Sequence, residues 1–136
     1  MVHNNGLKDE QFSYARTCYD HLAGSVGVEI TESLVKQGML EENGKNFSVT
    51  AEGDAFFSDL GIDLDGLHQK KRAFARSCLD VTERTPHLAG ALGGALLARL
   101  IDLEWIKRIP ETRTVEVTRK GQTELERLRL ISHPLK

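Results

Sequence analysis

The sequence predicts an α+β, mainly helical fold made of two tandem units, each a helix, a β-hairpin and a second helix, related by internal duplication. Three observations carry this. Rare residue types recur in order: Tyr14-Ala-Arg-Thr-Cys18-Tyr-Asp20-His21-Leu22-Ala23-Gly24 answers to Phe74-Ala-Arg-Ser-Cys78-Leu-Asp80, six extra residues, then His87-Leu88-Ala89-Gly90. Apolar positions recur with helical spacing: Ile30, Leu34, Val35, Met39 and Leu40 stand 66 residues before Leu96, Leu100, Ile101, Trp105 and Ile106. After a two-residue slip, Val49-Thr50-x-x-Gly53 answers to Val117-Thr118-x-x-Gly121, and Leu60 to Leu128.

The elements follow in chain order. Leu22, Ile30, Leu34 and Val35 mark one face of a first helix that Gly38 ends. Asn43-Gly44 is a turn pair, and Phe47 and Val49 alternate behind it as a returning strand. Thr50 is placed to cap a closing helix that carries Phe56, Phe57 and Leu60. The segment 61–72 reads as a connector with room for one helical turn. In the second unit, Thr85 and Pro86 are expected to cap and open a helix bearing Leu88, Leu92, Leu96, Leu97, Leu100 and Ile101. Ile109-Pro110-Glu111 forms the next turn, Val115-Glu-Val117 the return strand, and Thr118 caps a helix with Leu125 and Leu128.

Helix followed by hairpin and helix is the layout of a winged-helix module. The expected organisation is a winged-helix-like unit at 7–60, the connector at 61–72 and a second unit at 73–130. Neither unit is large enough to bury a full core alone, so both are expected to pack as one domain. Residues 1–6 and 132–136 are expected to be loose ends. Gly24, Gly27, Gly90, Gly93 and Gly94 fall in or beside helices, where each costs about 1 kcal/mol against Ala. Close helix–helix approach, to the sister unit or to a second subunit, is the expected compensation. Trp105 and Met39 occupy equivalent positions and are expected in the core.

Composition narrows the function classes. The chain has 136 residues, 40% of them hydrophobic and 28% charged, with 18 Lys+Arg against 20 Asp+Glu. A formal charge of −2 excludes a basic polyanion wrapper. No apolar run is long enough for a membrane span, and the first residues lack the pattern of a signal peptide. Two cysteines make no disulfide framework. A cytoplasmic location is therefore the expectation.

One constellation has chemical potential. Cys18, His21, Cys78 and His87 offer soft sulfur and imidazole donors, with Asp20 and Asp80 as alternative ligands or caps. If equivalent residues converge on a two-fold between the units, two Cys and two His make a tetrahedral site for zinc or another transition metal. The competing reading is structural: buried Cys, Asp20 as a helix cap, His at helix starts, and Arg16 and Arg76 paired with Asp20 and Asp80. No nucleotide, esterase or metalloprotease motif is present, so the chain is not read as an enzyme. The second hairpin, with Lys107, Arg108, Arg113, Arg119 and Lys120, is the more basic; Glu41 and Glu42 stand on the first. The first helix has no row suited to reading bases, so this chain alone is expected to read DNA sequence poorly.

The strings at Arg16–Gly24, Cys78–Gly93 and Trp105–Gly121 resemble the C-terminal region of bacterial ArsR-type winged helix-turn-helix transcriptional regulators. The resemblance covers about residues 12–130. In that family a DNA-binding domain of roughly ninety residues precedes this region, and it is absent from this sequence. The chain is thus expected to be a fragment or a free-standing homologue. The resemblance implies a regulatory module for effector sensing, dimerisation or both, with DNA as partner through the missing domain. The family's paired-cysteine motif, Cys-Val-Cys, does not occur here, so no metal role carries over from it. Three readings stay open: the regulatory module with a small effector or metal ion, a metal- or redox-responsive Cys/His module, and a protein-interaction module that homodimerises through its Gly/Ala-rich helix.

Overall fold

A computed structural model describes residues 10–132. The expected start of the first unit at residue 7, and the loose ends at 1–6 and 133–136, lie outside them. Within the described residues the chain is α+β, with six helices and three small antiparallel sheets. A helical stretch at 10–14 (α1) precedes a hairpin of β1 (Arg16–Cys18) and β2 (His21–Ala23). Helix α2 (Gly24–Lys36), a second hairpin of β3 (Leu40–Asn43) and β4 (Asn46–Val49), and α3 (Ala51–Leu60) complete the first half. The short helix α4 (Leu64–His68) lies in the connector. The second half repeats the order: β5 (Arg76–Leu79), β6 (Pro86–Ala89), α5 (Gly90–Asp102), β7 (Ile106–Arg108), β8 (Val115–Val117) and α6 (Arg119–Arg127).

A hairpin thus precedes the main helix of each half, and its second strand lies where the residue spacing predicts helix. Leu22 and Leu88 lie on strands, and Thr85-Pro86 does not start a helix. Pro86 is the first residue of β6, a position that tolerates a missing N–H. The helix begins four residues later, at Gly90. Gly24 and Gly90 both have φ of +78°, which a side chain would strain, and this left-handed step turns the chain from strand into helix. The six-residue insertion between Asp80 and His87 was the available signal, because insertions collect at hairpin tips.

The remaining local signals fold as the chemistry dictates. Thr50 and Thr118 accept hydrogen bonds from the N–H groups of Gly53 and Gly121 at 3.0 and 2.9 Å. Gly38 has φ of +79° and donates to the carbonyl of Val35 at 3.0 Å just beyond α2. The hairpin β3–β4 turns at Gly44-Lys45, one residue later than the Asn-Gly pair suggested. Asp63 caps α4 through the Gly66 N–H.

The halves are joined crosswise. The Phe47 N–H donates to the Ala75 carbonyl at 2.9 Å, and Ser77 to Lys45 at 2.9 Å, so β4 extends onto β5. In the same pattern Val115 donates to Ala15 at 3.1 Å and Thr17 to Arg113 at 2.8 Å, so β8 meets β1. Each half's second hairpin therefore continues the other half's first hairpin. Helix α2 lies on β6, α5 lies on β2, and β2 meets β6. One hydrophobic cluster spans both halves, from Val26, Ile30 and Leu34 through Leu92, Leu97 and Leu100 to Leu125. Trp105 sits in it as expected, with Met39 packed against it. The chain closes on itself: Ser33 Oγ donates to the Leu130 carbonyl, and Ser132, expected in a loose end, donates to Glu29 at 2.7 Å.

The helix glycines have a different cause from the one expected. A Cβ at Gly93 would stand 2.6 Å from the Leu88 carbonyl oxygen and 3.2 Å from His21 Cβ; one at Gly27 would stand 2.5 Å from the Leu22 carbonyl. These glycines let strands, not another helix, press against the helix. Ala89–Gly93 is buried within the chain itself.

Candidate metal centre

The two first hairpins carry the site. Cys18 pairs directly with His21 across β1–β2, and Cys78 with His87 across β5–β6. Directly opposed residues in an antiparallel ladder share a face, so each hairpin presents one Cys/His pair. Contact between β2 and β6 sets the pairs against each other. One potential ligand atom from each of Cys18, His21, Cys78 and His87 lies within 4.8 Å of all the others. The two imidazole Nε2 atoms are 3.0 Å apart. Both histidines are buried and both cysteines are half-buried free thiols. All four residues singled out from the sequence meet at one point.

The aspartates do not join them. Asp80 is fully buried one layer out. Its Oδ1 accepts from His87 Nδ1 at 3.1 Å, from the Gly24 N–H at 2.7 Å and from Arg16 at 3.3 Å. Its Oδ2 accepts from Thr82 Oγ1 at 2.7 Å and from the N–H groups of Thr82 and Glu83 at 3.1 and 2.9 Å. Asp80, from the second half, thus satisfies the N-terminus of α2 in the first half. Asp20 caps no helix; it pairs with Arg72 at 2.8 Å near the surface. The expected pairing of Arg16 with Asp20 and Arg76 with Asp80 is replaced by Arg16–Asp80 and Arg72–Asp20, because the hairpins approach crosswise. Only the folded chain shows Arg72 and Thr82 as participants.

Electrostatics set the protonation states. Burial pushes the Asp80 carboxyl up, but the hydrogen bonds from Thr82, Gly24 and Glu83 and the Arg16 guanidinium outweigh it and hold it well below the usual carboxylate range. Burial lowers His87 to about 4, helped by neighbouring His21, and burial also lowers His21. Both rings are therefore neutral near pH 7. Burial pushes the Cys78 thiol up, and the Cys18 thiol adds to it. A raised thiol beside neutral imidazoles is the reverse of what activates a cysteine nucleophile.

The tautomers follow from these contacts. His87 Nδ1–H faces the Asp80 carboxylate, so its Nε2 carries a lone pair. For the two Nε2 atoms to bond, His21 must donate through its own Nε2. Its Nδ1 is then a bare acceptor, 3.5 Å from the acceptor oxygen Asp20 Oδ1. Among the described residues, His21 Nδ1 is the buried side-chain polar atom without a hydrogen bond.

Two cavities lie nearby or on the second half. One of about 370 Å³ opens beside the cluster, lined by Tyr19, His21, Arg72, Arg76 and Cys78 among others. A groove of about 620 Å³ runs between β7 and the start of α6, lined by Lys107, Arg108, Arg119 and Lys120 with Ile101 and Ile106. No helix of the described residues is long and apolar enough to cross a membrane.

No protein-family model matches the chain, and no solved structure matches it. Over 114 residues the chain is 55% identical to YdfF of Bacillus subtilis (strain 168), whose name describes it as an uncharacterized HTH-type transcriptional regulator. The match takes in 84% of this chain and 50% of that protein, so the chain spans about half the length of the relative it matches.

Proposed function

We propose that this chain is the regulatory module of a bacterial ArsR-type DNA-binding transcriptional regulator, working in the cytoplasm by effector sensing, dimerisation or both. The observation that carries this is the 55% identity to a protein named as an HTH-type transcriptional regulator, over half of its length. On this reading the chain is two winged-helix-like units at 7–60 and 73–130, joined by the connector at 61–72 and related by duplication. The recurring element order and the paired crosswise hydrogen bonds support that relation. No reaction chemistry is assigned to it.

The crosswise joining suits a sensor. A ligand held between the halves bears on α2 and α5 together, and on α1 through Arg16, which donates to the Phe12 carbonyl at 3.2 Å. The basic groove at Lys107, Arg108, Arg119 and Lys120 is the surface suited to phosphate contacts, while Glu41 and Glu42 make the matching hairpin of the first half repulsive.

The test joins the chain to a helix-turn-helix domain and compares the fusion with each part alone in DNA binding. The chain alone should bind promoter DNA weakly and without selectivity, and the fusion should bind selectively. Tight, sequence-selective binding by the chain alone would overturn the division of labour. Light scattering at high micromolar concentration reads the dimer, and a strictly monomeric mass removes dimerisation from the proposal.

A further inference from the structure

We propose that Cys18, His21, Cys78 and His87 form a tetrahedral site for one divalent ion of the zinc type, bound between the two halves. This names the effector class of the sensing module proposed above, but its chemistry does not depend on DNA.

Four features carry it. The donor set is complete: two thiol sulfurs and two imidazole nitrogens, the Cys2His2 combination of closed zinc sites. The spacing fits. Bonds of about 2.3 Å to sulfur and 2.0–2.1 Å to nitrogen give a tetrahedron with edges of roughly 3.3–3.8 Å. The observed span is 4.8 Å at most, and the Nε2 pair is at 3.0 Å. Small side-chain adjustments close it around an ion.

The charge also fits. On binding, each thiol gives up its proton to solvent, and the two thiolates and two neutral rings then bring a charge of minus two, which a divalent ion cancels. The nearby carboxylates are already balanced, Asp80 by Arg16 and Asp20 by Arg72. A monovalent ion would leave net negative charge in a half-buried place, and hard oxygen-seeking ions would find no oxygen donors among the four.

The tautomers give the most specific argument. Without an ion, His21 cannot serve both neighbours: a proton on Nε2 bonds His87 and leaves a bare Nδ1 facing Asp20, and a proton on Nδ1 sets two Nε2 lone pairs against each other at 3.0 Å. An ion takes the lone pair of each Nε2, so both rings carry their proton on Nδ1. His87 then keeps its bond to Asp80, and His21 Nδ1–H can donate to Asp20. Both ligands gain the carboxylate–histidine–metal arrangement that orients such rings. The ion removes the one mismatch in the cluster.

Cobalt(II) is the probe, because its spectrum reports tetrahedral geometry and thiolate ligation. The chelator-treated, reduced chain should take up one cobalt per molecule, with tetrahedral ligand-field bands and a thiolate charge-transfer band, and one equivalent of zinc should displace it. The double variant Cys18→Ser, Cys78→Ser should lose the charge-transfer band. Circular dichroism checks that the variant folds, and the unaltered chain supplies a reading that needs no variant. Zinc should protect both of its cysteines from alkylation, counted by mass. Absence of bound metal, cobalt without a charge-transfer band, uptake unchanged in a folded double variant, or unprotected thiols would each overturn the site. None of these readouts involves DNA, so the site can fail while the regulatory reading stands, and the reverse.

Discussion

His21 Nε2 and His87 Nε2 meet at 3.0 Å across 66 residues of sequence, one from each half of the chain. That contact joins the β1–β2 hairpin to the β5–β6 hairpin at the point where both cysteines converge. Its polar surroundings make it sensitive to charge, protonation and backbone approach, and the following outcomes are expected.

Asp80→Ala should be among the most destabilising single changes. It leaves Arg16 buried without a counter-charge, and it strips acceptors from His87, Gly24, Thr82 and Glu83. Breaking a buried pair on one side costs about 3–5 kcal/mol. Urea denaturation of the variant against the parent measures it. A loss under about 1 kcal/mol would show that the network contributes little.

Stability of the metal-free chain should fall on acidification in two stages. His87 has a folded value near 4 against about 6.5 when unfolded, so the unfolded state binds protons first. The stability due to neutral His87 is complete above about pH 6.5 and is lost as pH falls toward 4. Asp80 is held low, so its contribution persists until pH drops below the ordinary carboxylate value and then fades. Urea midpoints measured with chelator between pH 7.5 and 4 should decline steadily from about pH 6.5. A flat profile over that range contradicts a buried neutral His87.

Two glycine substitutions should separate steric contact from backbone strain. Gly38→Ala meets nothing within 4 Å and carries only the strain of its positive φ, about 1–2 kcal/mol. Gly93→Ala drives a Cβ to 2.6 Å from a backbone oxygen and against His21, so the strand must move. Thermal unfolding should show a clearly larger drop for Gly93→Ala, and equal drops would contradict the tight strand–helix approach.

Thr50→Ala and Thr118→Ala each remove a side-chain cap, and each should destabilise by about 1 kcal/mol. Matching drops in denaturation midpoint would show that the two caps do equal duty in the two halves. A neutral result at either position would mean that water replaces the threonine there.

Much of this arrangement is legible in the residues. Periodicity located α2 and α5, threonine spacing located the caps of α3 and α6, and turn residues located the later hairpins, because these are local preferences of a few neighbouring residues. The leading hairpins were missed because strands of three or four residues, such as His21–Ala23, are too short to show alternation. The helical pattern beginning nearby absorbed them. The candidate ligands were legible as residue types, and their convergence only as a condition on the symmetry.

Local residue preferences place α2, α3, α5, α6 and the later hairpins, and residue types alone single out the four soft donors. Tertiary structure alone decided who meets whom. Arg16 pairs with Asp80 rather than Asp20, Asp80 serves the helix of the other half, and each second hairpin extends the opposite first hairpin. Local spacing cannot encode these pairings. They depend on the approach of β2 to β6 and on a single hydrophobic cluster that takes residues from Val26 to Leu125, contacts between segments far apart in the chain.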